Sequence, residues 1–89
     1  MPEESGLRKM AREAMRAGTL PIRRPDRTWG GPGIGVPCRV CREAITKNQL
    51  EFELQFSHAG AVPGLDRYHV HIRCFAAWEF ERNEGGAHS

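Results

Sequence analysis

The chain has 89 residues, 39% of them hydrophobic and 27% charged. That is one small domain, and its part beginning at Val36 is near the size at which an apolar core alone is marginal and a disulfide or a metal usually assists. No apolar run approaches the length of a membrane span and the first residues lack the basic and apolar regions of a secretory signal, so a reducing cytoplasm is the expected location. The formal net charge of +2 is unevenly spread: residues 1–30 carry seven basic side chains against four acidic ones, and the remainder is slightly acidic. Attraction to nucleic acid or an acidic partner is therefore expected mainly from the N-terminal arm.

In chain order, Leu7, Met10, Ala11, Ala14 and Met15 recur at helical spacing among basic residues, which predicts an amphipathic basic helix within residues 1–18. Ser5 is a candidate cap for its start and Gly18 for its end. Such a stripe either packs on the rest of the domain or docks a partner. Residues 19–37 are rich in Pro and Gly and read as a linker. Trp29 within it is open to two fates, burial in the core or insertion into a partner. The run Gly31-Pro32-Gly33-Ile34-Gly35 lacks the spacing and the following helix of a phosphate-binding loop.

The domain proper is expected at 38–84, with a flexible tail at 85–89. Leu50, Phe52, Leu54 and Phe56 alternate with Glu51, Glu53 and Gln55, predicting a strand with one buried and one wet face. Tyr68, Val70 and Ile72 alternate with His69, His71 and Arg73 in a second strand, joined to the first by a long loop containing Gly60, Pro63 and Gly64. From Cys74 the pattern turns helical through Phe75, Trp78 and Phe80 and is expected to end at Asn83 and Gly85-Gly86.

The chemistry is carried by Cys38-x-x-Cys41 and, after a long spacer, His71-x-x-Cys74. Thiolate and imidazole are the ligands Zn²⁺ prefers, and a structural site takes four of them in a tetrahedron. Two residues between the members of each pair let one tight turn aim both side chains at one ion. His69 and His71 are alternate residues of a strand, one of which supplies the fourth ligand; the His-x-x-Cys spacing favours His71. The odd cysteine count suits a metal better than a disulfide framework. A redox Cys-x-x-Cys would want a βαβ context, and a haem attachment would want His at position 42, where Arg stands. Pro37-Cys38-x-x-Cys41 is half of the zinc deaminase signature, but no histidine precedes Cys38 to complete it. The expected fold is a small α+β, treble-clef-like domain: a zinc turn, an antiparallel hairpin, a short C-terminal helix and an N-terminal amphipathic helix. One structural Zn²⁺ is expected, with no catalysis and no small-molecule substrate, because four protein ligands leave no open position for water.

With these ligands placed, the segment from Cys38 to about residue 80 resembles the poly(ADP-ribose) polymerase-type zinc finger. It shares the ligand spacing, Ile45, Lys47 and Leu50 after the second cysteine, and Phe75 after the last. No transferase domain accompanies it, so that activity is not implied. The resemblance implies recognition of DNA, especially ends and breaks, through basic residues near the zinc turn and an apolar loop at Ala61-Val62. The chain departs from the family at Glu51 and Glu53, whose carboxylates on a wet face would repel phosphate, and at Val70, where an aromatic is usual. The expected phosphate contacts are Arg23, Arg24 and Arg27 of the linker and Arg39, Arg42 and Lys47 of the finger. The rival expectation is a protein-interaction adapter that uses the N-terminal helix or the finger surface.

Overall fold

A computed structural model describes residues 3–59, 61 and 63–87. Five elements follow one another: α1 (Glu4–Ala17), β1 (Arg27–Pro32), β2 (Leu50–His58), β3 (Gly64–His71) and α2 (Ile72–Ala87). The three strands form one antiparallel sheet in the order β1-β2-β3, so β2 is central. The architecture is α+β, as expected.

Helix α1 forms where the 3.6-residue stripe placed it, and Leu7, Ala11 and Ala14 are buried. Its N-cap is Glu3 rather than Ser5, whose hydroxyl lies 3.3 Å from the Glu3 carboxylate instead. Gly18 closes the helix at φ 79°, the left-handed conformation glycine adopts without penalty, and its N–H donates back to the Ala14 and Met15 carbonyls. The stripe is spent inside the molecule: α1 packs on α2. Arg12 pairs with Glu81 at 2.9 Å, and the Arg8 guanidinium lies 4.0 Å from the centre of the Phe80 ring.

The stretch expected to be a linker contributes an edge strand. Its sequence, Arg-Thr-Trp-Gly-Gly-Pro, has none of the alternation that marks a strand, and Gly and Pro are depleted in sheets. Pairing with the unsatisfied edge of β2 overrides that weak preference, from Arg27↔Gln55 to Pro32↔Leu50. Gly30 serves the packing here, since a Cβ would sit 3.2 Å from the Phe52 ring. Asp26 ties down the start of the strand by accepting from the backbone N–H of Ser57 at 2.7 Å and from its hydroxyl at 3.0 Å.

The period-two reading of β2 and β3 sorts the sheet into two faces. Leu54, Phe56 and Val70 are buried on one of them, with Phe52 and Tyr68 beside them. Helix α2 lies across that face: Phe75 meets Phe52 with centroids 4.7 Å apart, and Trp78 meets Phe56 at 6.4 Å. Trp78 is fully buried, and its indole N–H donates to the Pro21 carbonyl at 3.0 Å. The segment leaving α1 is thus bolted to the centre of the core, where Leu20 is also buried. Helix α2 passes the expected stop at Asn83 and Gly85-Gly86 and runs to Ala87. Residues 88–89 of the expected tail lie outside the described residues.

Candidate metal centre

Cys38 and Cys41 stand on the tight turn between β1 and β2, His71 ends β3, and Cys74 sits in the first turn of α2. The turn is knitted by its own backbone. Arg42 N–H donates to the Cys38 carbonyl at 2.9 Å, Cys38 N–H to the Glu43 carbonyl at 2.9 Å, and Val40 N–H to the Cys38 sulfur at 3.3 Å. Arg42 has φ 69°, a left-handed conformation unusual for a residue with a Cβ, and this sharp reversal brings the two sulfurs round to one point. The turn is moored to the sheet by Arg39 N–H, which donates to the His69 carbonyl at 3.0 Å.

The donor atoms of Cys38, Cys41, His71 and Cys74 all lie within 4.8 Å of one another. Tetrahedral coordination with metal–sulfur bonds of about 2.3 Å needs ligand atoms about 3.8 Å apart. The Nδ1 atom of His71 is 3.4 Å from the Cys41 sulfur and 3.9 Å from that of Cys74. The four residues therefore fit one metal ion, and His71 is the histidine of the cluster.

Its other nitrogen explains the orientation. His71 Nε2 lies 3.1 Å from Gln49 Oε1, so Nε2 carries the proton and Nδ1 is free to ligate. The same oxygen accepts the Thr46 N–H at 3.0 Å, which holds the amide in place. Sequence reasoning did not single out Gln49, and no spacing signal marks it; it stands two residues before Glu51, the residue opposite His71.

The three sulfurs do not ionise independently. A hydrogen bond from Cys74 pulls the Cys38 thiol down to about 4, against the opposing effect of burial. Donating that bond to Cys38 pushes Cys74 strongly up, with burial adding to it, and burial raises Cys41. Three sulfurs so close together resist ionising at the same time. A divalent cation relieves the repulsion and replaces the protons.

One expectation about the neighbouring face changes. Glu51 does not lie on a wet surface: it is 6% exposed, and its carboxylate meets His69 Nδ1 at 2.8 Å. His69 is thereby held beside the centre without joining it. Glu53 accepts from the Gln55 amide at 2.6 Å and lies 3.7 Å from Arg67.

The candidate phosphate contacts fall into four groups. Arg23 is committed to the fold: it donates to the Ser57 carbonyl at 2.6 Å, pairs with Asp26 at 3.4 Å and lies over the Phe56 ring at 5.1 Å. Arg24 and Arg27 border a recess with Asp26, Phe75 and Glu79. Arg39 and Arg42 line an open cleft of about 540 Å³ together with Pro37, Cys38, Arg67 and His69. Lys47 is exposed on the loop before β2. Arg67 was not expected from sequence; as one cation in an alternating strand it carried no signal. Of the apolar loop, Ala61 is exposed and Val62 lies outside the described residues.

No protein-family model, curated protein or solved structure matches this chain.

Proposed function

We propose that this chain is a non-enzymatic zinc module, treble-clef-like in its order of zinc turn, hairpin and helix, that binds nucleic acid through its phosphates. The donor set supports zinc: three thiolates and one imidazole are the ligands that ion prefers, and four protein ligands leave no position for a reacting water. Three reduced cysteines suit a reducing cytoplasm. One observation carries the nucleic-acid reading. Arg39, Arg42 and Arg67 line a single open cleft whose wall includes the ligand Cys38, so the metal turn fixes where the cations stand. Burial of Glu51 removes one of the two carboxylates that would have opposed phosphate there. The adapter reading loses its main asset, because the apolar stripe of α1 is already inside the core.

The test is a titration of the metal-loaded protein with labelled duplex and nicked DNA at two ionic strengths. Each phosphate neutralised contributes about −0.9 to the slope of log affinity against log salt on duplex DNA. The double substitution Arg39→Ala/Arg42→Ala should flatten that slope by about two units. Absence of binding to either DNA at low salt would defeat the reading. X-ray absorption of the loaded protein should report three sulfurs and one nitrogen around zinc.

A further inference from the structure

The sheet has a second face, and part of it is open. Residues opposite one another in an antiparallel register share a face, so Trp29, Glu53 and His69 form one row across the three strands, with Arg27, Gln55 and Arg67 in the next. The row after that, Gly31, Glu51 and His71, is closed over at the metal centre. Trp29 is 54% exposed although it stands in the middle of its strand. Arg27 is exposed at the start of the same strand, where it also borders the recess beside Phe75 and Glu79 of α2, and Arg67 is exposed on the far strand, about 10 Å away at the usual strand spacing. Beyond β3 the face runs into the cleft bearing Arg39 and Arg42. Among the described residues, Arg27, Arg39 and Arg42 have no carboxylate within ion-pairing distance, and the Arg39 guanidinium lies 5.2 Å from the centre of the Tyr68 ring, a residue of the face that α2 covers.

An exposed indole on a rigid strand, with guanidinium groups in the adjacent row of the sheet, is the pairing that recognises a base attached to a phosphate chain. From this we infer that the open sheet face is a platform for single-stranded nucleic acid: an unpaired base stacks on Trp29, and the flanking phosphates lie on Arg27 and Arg67 and continue to Arg39 and Arg42. A duplex keeps its bases stacked on one another and has no free ring face for Trp29. Glu53, in the middle of the row, is engaged by Gln55 and Arg67. The inference rests on the nucleic-acid reading above and adds the strandedness of the ligand.

The experiment titrates the full metal-loaded chain at low salt with three probes. These are a mixed-sequence single-stranded DNA, the blunt duplex of the same sequence, and an abasic deoxyribose-phosphate oligomer of equal length. The single strand should bind about tenfold or more tighter than the abasic oligomer and quench tryptophan emission from Trp29, because stacking needs a base. Trp29→Ala should lose that advantage while its affinity for the abasic oligomer and the duplex stays unchanged, and Trp29→Phe should retain most of it. The near-UV signal of buried Trp78 and the bound metal verify that each variant is folded. Equal binding of single strand and abasic oligomer, or a Trp29→Ala variant that binds like the parent, would overturn the platform and leave phosphate binding standing. No binding to any of the three would overturn both readings.

Discussion

Gln49 is the residue on which the metal centre turns, although it is not a ligand. Its amide oxygen fixes the tautomer and the angle of the His71 ring while also holding the Thr46 N–H. Removing such a partner lowers metal affinity by roughly 10- to 100-fold. Gln49→Ala should show that loss in a competition titration with a chromogenic chelator, and Gln49→Glu, which keeps an acceptor, should recover much of it. Asp26 works similarly for the edge strand. The backbone and hydroxyl of Ser57, then Arg23, hold its carboxyl below the ordinary value of 3.8. A depressed carboxyl pKa contributes stability that is present above the unfolded value and lost as pH falls through the folded one. Asp26→Asn should therefore lower Tm by the same amount at pH 7 and pH 5, both of which lie above the window. A deficit that already shrinks between those two pH values would contradict this account. The ligands themselves were legible in sequence because metal geometry imposes a spacing on them; Gln49 was not, because a residue that orients a ligand needs only to be near it in space.

At the scale of elements, α1 is part of the domain rather than an arm. Leu7 is 1% exposed in the core, and truncating a buried leucine costs about 2–5 kcal/mol. Leu7→Ala should lower the stability measured by denaturant titration by that order, whereas a free helix would leave it unchanged. The turn bearing Cys38 and Cys41 is held just as closely. At Gly33 a Cβ would collide with the backbone carbonyls of Ile45 and Thr46. Helix α1 and strands β2 and β3 could be read from periodicity because each has one apolar and one polar side. Strand β1 could not, because it is held by its hydrogen bonds to β2 and buries almost none of its own side chains.

For the whole molecule, one metal ion held by Cys38, Cys41, His71 and Cys74 would tie the turn between β1 and β2 to the junction of β3 and α2. Chelation should abolish the near-UV signals of Trp78 and Tyr68, since the free energy of a structural metal site is also folding free energy, on the order of 10 kcal/mol in small zinc domains. A core that keeps those signals in excess chelator would show that helix packing suffices without the metal. The sequence by itself determined the donor set and the α+β class, because ligand spacing and side-chain period are local properties of a chain. Only the tertiary structure decided that Glu51 is buried against His69, that Arg23 is tied into the fold while Arg67 joins Arg39 and Arg42, and that Trp29 stands in the open. Each of those depends on strand register and on which face another element covers, and these are set by contacts between residues far apart in the chain.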